Sequence, residues 1–514
     1  MNRRDALKAM PLFLGLVGIE WGGLAPARAA AGAGPEFSVS NFGARGDGVS
    51  DDSSAFLSAL KEAERTKGTV LVPLPALNYR VTKGLQVSPG IQIRGVGGTK
   101  RPLIVFEGDV DVCLNLRSNS LVEGLELDGH FPSKTRTSTV LRIFDDGVQV
   151  INCVIRRGKT LNVDLQAANC RIVGGEQWDS DGTSIALNGI KAHSNTLSGI
   201  TFGNNRGFAI WLNDKAHGNL IENNKTKKNG LELCGVTFDC YGNNIVGNSA
   251  EGSGDNGISV TGYNNKITKN NCVKNAYHGI CLFGERNYCS DNICTSNGQA
   301  NLSLLTPRSF CGIAVTPNFG GFGRRNVIEN NTCTDDQANP TQLYGLKLER
   351  HQYRLWKGGL ELALDRRYST DGKNVYRAMG RLASQPVPAG TRPITHTSST
   401  ASDGRFDWLW IGSNEMSFDL TPQAWQTGTT VSDGDERASN HALYKAVGSG
   451  VCGANAPVHK AGVVSDGGRD WQYIDDFPPN FDAWGNVMRG NRAKGNKISD
   501  YGVMSKNRNL IEKV

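Results

Sequence analysis

Gly257-Ile258-Ser259-Val260-Thr261-Gly262-Tyr263-Asn264-Asn265-Lys266-Ile267-Thr268-Lys269-Asn270 is one unit of a repeat. Its second half, Asn-x-apolar-x-x-Asn, recurs as Asn219-Ile221-Asn224, Asn243-Ile245-Asn248, Asn287-Cys289-Asn292 and Asn326-Ile328-Asn331. Its first half, Gly-apolar-x-apolar, recurs from Gly235, Gly279 and Gly312. The tightest copies are 22 residues apart, Gly235 to Gly257 to Gly279 and Asn243 to Asn265 to Asn287. A fixed period in this range marks stacked supersecondary units. Each unit holds two short runs of alternating apolar residues, the pattern of strands. A helix of ordinary length does not fit beside them. The spacing therefore predicts a coil of short parallel strands in which each rung buries its apolar side chains against the next. The Asn that closes each unit tolerates the left-handed backbone of a sharp turn. Its amide can also bond to the Asn of the next rung, so Asn224, Asn248, Asn270, Asn292 and Asn331 are expected to form a ladder.

The repeat resembles the right-handed parallel β-helix proteins of the pectate-lyase superfamily, in which such Asn ladders occur. The entry segment adds to the likeness: Asn41-Phe42-Gly43-Ala44-Arg45-Gly46-Asp47-Gly48 with Asp51-Asp52 is similar to the N-terminal signature of the pectate-lyase-like/tailspike group. The expected fold is all-β, a right-handed single-stranded parallel β-helix over residues 36–350 and 481–514. Asp51 and Asp52 begin a helix over about 53–63, with Phe56, Leu57 and Leu60 on its apolar face, which should plug the open end of the coil. Capping and turns explain Asp47, Asp51 and Asp52 better than a metal or acid site does.

The repeat stops after Glu349 and returns at Asn486-Met488-Asn491, so residues 351–480 read as an inserted, duplicated small β domain. Tyr376-x-Ala378-x-Gly380 matches Tyr444-x-Ala446-x-Gly448. Asp403-Gly404, Trp408 and Trp410 match Asp466-Gly467, Trp471 and Tyr473. These modules resemble ones attached to tailspikes and glycan-active proteins. Their aromatics suit either sugar stacking or the modules' own cores.

Residues 1–29 read as a targeting segment. Arg3-Arg4 precede an apolar run from Pro11 to Ile19, and Ala27-Arg28-Ala29 offers a cleavage site, the form of a twin-arginine-like signal. A periplasmic or secreted protein follows, with no membrane span expected. Net charge is +7. That mildly favours acidic polymers, and no basic run or nucleic-acid motif is present. Export would permit the twelve cysteines to pair. Yet Cys272 and Cys294, Cys289 and Cys311, and Cys311 and Cys333 each lie 22 apart, so a buried stack of thiols is expected.

Alternation turns Ile258 and Val260 inward, and Asp255, Ser259 and Thr261 outward. One rung on, Tyr277 should neighbour Asp255, with His278 beside it and Asn256 beneath. Trp211 and Asp239 should face outward earlier, and Lys347 and Glu349 later, with Arg350 adjacent. Asp239 lies at the far end of its strand from Asp255, too far for a close carboxylate pair. The segment from Asn292 to Gly312 is twenty residues against nine from Asn270 to Gly279, so an extra loop overhangs this face.

The resemblance implies a polysaccharide substrate, acidic by preference, and a homotrimer if the tailspike likeness extends to assembly. The favoured reaction is a lyase that removes C5–H of a uronate and eliminates the 4-linked sugar. In it His278 or Tyr277 serves as base or acid, and Asn256 or a nearby cation holds the carboxylate. Trp211, Lys347 and Arg350 are further candidate binding residues. The alternatives are a hydrolase using Asp255 with Glu349 or Asp239, and a non-catalytic glycan-binding rod. No cofactor is expected. Calcium is the metal the resemblance would admit, though the family's calcium-binding carboxylate cluster is not evident here.

Overall fold

In the computed structural model the chain winds into a parallel β-helix. The structure describes residues 34–348 apart from 133–138, 238, 301–309 and 317–322. Beyond 348 it describes the strands named below, and the side chains of most residues in 425–473 and 485–501.

The first sheet holds twelve parallel strands, from Leu85–Val87 through Ile258–Val260 to Ser499–Val503. Two further parallel stacks complete each turn, for example Lys266–Thr268 and Asn271–Val273. Ile258, Ile267 and Ile280 are fully buried along the axis, as period-2 strands that stack only on one another require. The helix Ser53–Thr66 closes the N-terminal end with Phe56, Ala59, Leu60 and Ala63 buried. Phe56 meets Tyr79 edge to face at 5.4 Å. Asp51 accepts the Ser53 N–H at 3.0 Å, while Asp52 accepts the N–H groups of Arg45 and Gly46 and so pins the entry loop.

The Asn ladder forms. Asn224 Nδ2 donates to Asn248 Oδ1 at 3.0 Å, and the chain of amides continues through Asn270, Asn292 and Asn331 to Asn491. The first Asn of each unit makes a second ladder, from Asn195 through Asn219, Asn243, Asn265 and Asn287 to Asn326 and Asn486. The left-handed turn falls one residue earlier than expected, on Asn223, Gly247, Lys269, Asp291 and Asn330. Turn and ladder are therefore the work of adjacent residues: one supplies the backbone shape and the next turns its amide inward.

Two spacings differ from the sequence reading. Gly235 pairs with Ser259, not Gly257, because the turn after Cys234–Val236 carries two extra residues. Cys289 and Cys311 stand on different sheets, because the long loop makes that rung 39 residues. The thiol column that does form is Cys272, Cys294 and Cys333, in register on successive rungs. All twelve cysteines are buried and unpaired with one another by disulfides.

Between Tyr344–Leu348 and Val487–Lys494 the chain forms two five-stranded sheets. Their central pairs repeat: Tyr376 faces Trp410 and Ala378 faces Trp408, just as Tyr444 faces Tyr473 and Ala446 faces Trp471. Both pairs shift register immediately before the Tyr. In the second sheet Trp471 and Tyr444 are fully buried, so these aromatics are core. Asp466 accepts both indole N–H groups, from Trp471 at 2.7 Å and Trp425 at 3.0 Å. The side chains of Trp408 and Trp410 lie outside the described residues. No helix among the described residues is long and apolar enough to cross a membrane.

Candidate active site

The strands of the first sheet begin at a turn, and at three successive turns one position is polar. Register places Glu232, Asn256 and His278 there, two residues before Cys234, Ile258 and Ile280. Asn256 joins the other two. Its Nδ2 donates to Glu232 Oε1 at 3.2 Å, and its Oδ1 accepts the His278 backbone N–H at 3.2 Å. The ring of His278 is fixed in turn, because Nδ1 accepts the Cys311 N–H at 3.1 Å. A neutral imidazole so held carries its proton on Nε2.

Asp255 and Tyr277 fall in the adjacent column, tied by a hydrogen bond from the Tyr277 N–H to the Asp255 carbonyl at 3.1 Å. The Tyr277 ring packs on Phe310 at 5.5 Å. The structure thus brings Asp255, Asn256, Tyr277 and His278 together on two rungs.

Glu232 was not legible beforehand. It is 5% exposed. Burial first, and the charge of Asp255 second, push its carboxyl up to about 8, against the lowering pull of Asn256 and Ser259. It is therefore protonated at neutral pH beside the Asp255 carboxyl. Its Oε2 has no hydrogen-bond partner among the described residues. The misaligned glycines hid it. Had Cys234 been set against Ile258, Glu232 would have fallen on Asn256.

The other candidates lie elsewhere. Trp211 is half-buried and stacks parallel on Phe208 at 5.9 Å, with Gly235 bare beneath the Phe208 ring because a Cβ there would collide with it. Asp239 sits in the turn beyond its strand and accepts the Thr237 hydroxyl at 3.2 Å. Lys347 faces outward from the coil but is buried, its ammonium 4.3 Å over the ring of Tyr344. Cys281, Phe283, Cys311 and Ala314 form an apolar cluster there, with Tyr344 packed against it, and the segment 301–309 expected to overhang this face lies outside the described residues. Glu349 and Arg350 lie outside the described residues. No group of three or more His, Cys, Asp or Glu among the described residues is placed to hold a metal ion.

The site combines a protonated carboxyl, a second carboxyl, a phenol and an imidazole of fixed tautomer. Such a set can remove a proton from one face of a bound ring and deliver one elsewhere.

The model of the family described as rhamnogalacturonase A/epimerase, pectate lyase-like, matches residues 36–302. Mannuronan C5-epimerase AlgE2 of Azotobacter vinelandii is 29% identical over 245 residues, covering 44% of this chain and 22% of the relative. Mannuronan C5-epimerase AlgE5 of the same organism matches to the same extent. The chain thus spans about a fifth of the length of the curated relatives it matches. Among solved structures, the A-module of Azotobacter vinelandii mannuronan C-5 epimerase AlgE4 superposes with a TM-score of 0.51 at 18% identity, over 61% of this chain and 91% of that one. That is a likeness of fold.

Proposed function

The chain belongs to the rhamnogalacturonase A/epimerase, pectate lyase-like family, and from that premise we propose that it modifies a uronate-containing polysaccharide by removing the proton at C5. The observation that carries the reading is the Glu232–Asn256–His278 chain beside Asp255. C5–H is acidic only when the neighbouring carboxylate is neutralised, and His278 Nε2–H supplies a donor for it. Asp255 takes the proton. Glu232, protonated, leaves Asp255 as the ionised carboxylate of the pair and orients the amide that holds His278. In β-elimination the electrons of the C5–H bond form C4=C5, the C4–O bond breaks, and Tyr277 protonates the leaving oxygen.

Epimerisation is the second reading, favoured by the named activity of the relatives that match at 29% identity. It shares the first step. Tyr277 then returns a proton to C5 from the opposite face, and no bond to the next sugar is lost. Incubating the full chain with uronate polymers in deuterium oxide separates the outcomes. Elimination produces unsaturated ends that absorb in the ultraviolet, and epimerisation leaves deuterium at C5 of intact chains. New reducing ends with neither change would replace both readings with hydrolysis.

A further inference from the structure

Asp164 faces outward between the inward Val163 and Leu165, yet it is only 3% exposed. Three donors enclose it: Arg142 Nε at 3.0 Å, Gln166 Nε2 at 2.9 Å and Asn188 Nδ2 at 2.9 Å. Three of the roughly four acceptor sites of this carboxylate are taken, and it fixes Arg142. Among the described residues, only the Nε edge of that guanidinium donates a hydrogen bond. Its two terminal nitrogens donate to no acceptor among the described residues, and the group lies 5.3 Å over the ring of Phe144, itself 43% exposed. The result is an outward guanidinium fork, held in place beside a bare aromatic ring.

A fixed fork matches a carboxylate with two parallel hydrogen bonds and loses little freedom when it binds. The ring offers an apolar surface to the C–H face of a sugar. Resting on the uronate-polymer reading above, we propose that Arg142 and Phe144, positioned by Asp164, form a distal subsite for one uronate residue. Register runs from Arg142 through Asp164, Ala186, Trp211, Gly235 and Ser259 to Cys281, on the rung of His278. That is six steps of about 4.8 Å, roughly 29 Å. The subsite is too distant to touch the reacting sugar. It anchors the chain, so that a polymer spanning both places binds better than a short oligomer.

The test is calorimetric titration of the full chain with uronate oligomers of increasing length, beside neutral oligomers of the same lengths. For the unaltered protein, affinity should step up once the oligomer reaches across the six rungs. Arg142→Gln should abolish that step, weakening long uronate oligomers about tenfold, the loss of one charge-assisted pair, and leaving trimers unchanged. Arg142→Lys should recover little, since it restores charge but not the fork. Phe144→Ala alters only an exposed ring and should weaken long oligomers to a lesser degree. If Arg142→Gln binds long uronate oligomers as the unaltered protein does, the subsite is wrong and the C5 reading stands. The subsite is equally wrong if neutral oligomers show the same step. If the unaltered protein neither binds nor converts any uronate chain, both readings fall together.

Discussion

The Nδ1 of His278 accepts the backbone N–H of Cys311 at 3.1 Å. That bond crosses from one rung to the next and fixes which ring nitrogen can donate. His278→Ala should lower kcat about a hundredfold or more on whichever uronate polymer proves to be the substrate. Nitrogen-resolved NMR of the resting protein should show the Nε2–H tautomer. A ring protonated on Nδ1 would contradict the assigned role.

Glu232 makes the pH dependence specific. Folded, it releases its proton at about pH 8, whereas a carboxyl's ordinary value is 4.5. Between those values the folded chain holds a proton that the unfolded chain has lost. Stability therefore falls as pH rises from about 4.5 to about 8, and this contribution is flat above that. Glu232→Gln keeps an acceptor for Asn256 and removes the titration. Its melting temperature should exceed that of the unaltered protein at pH 8 and vary less across the window. Parallel melting curves for the two proteins would count against a protonated Glu232.

A third ladder of amides runs beside the site and is broken once. Asn205 donates to Asn229 at 3.2 Å, and Asn275 continues to Asn297 and Gln342. Ser253 occupies the position between them, where its backbone N–H meets Asn275 Oδ1 at 3.0 Å. Among the described residues, Asn229 Nδ2 and Ser253 Oγ are buried without a hydrogen-bond partner. Ser253→Asn should complete the ladder and raise stability by about 1 kcal/mol, read as a higher melting temperature. A lower one would mean that the gap is too small for the amide.

In the inserted module, Asp466 is 1% exposed and holds two indoles and the backbone N–H groups of Gly468 and Arg469. Burial raises its carboxyl, but those hydrogen bonds outweigh burial and hold it below its ordinary value. Its contribution is therefore present above about pH 4 and lost as pH falls further. Asp466→Ala strands buried donors and should cost about 2 kcal/mol or more, seen as an earlier transition in tryptophan fluorescence. An unchanged transition would mean that the module does not depend on this carboxylate.

The coil was legible because stacking imposes one period on many residues at once. Asn224, Asn248, Asn270 and Asn292 recur at 24 or 22 residues and bond as their spacing suggests. Asp255 and Tyr277 could be paired for the same reason. Glu232 could not, because two residues added to a single turn shifted the apparent frame and set Gly235 against the wrong partner. The burial of Lys347 was equally hidden. Alternation reports which way a side chain leaves the sheet, but not whether a neighbour such as the Tyr344 ring covers it there. Arg142 and Asp164 carry no periodic signal because they lie on the less regular early rungs, before the repeat tightens.

The decisive measurement is the fate of the C5 hydrogen in a uronate polymer incubated with the full chain in deuterium oxide. C5–H removal predicts either unsaturated ends or deuterium at C5, abolished in His278→Ala and Asp255→Asn. Chain cleavage with the C5 hydrogen retained and no unsaturation would contradict it.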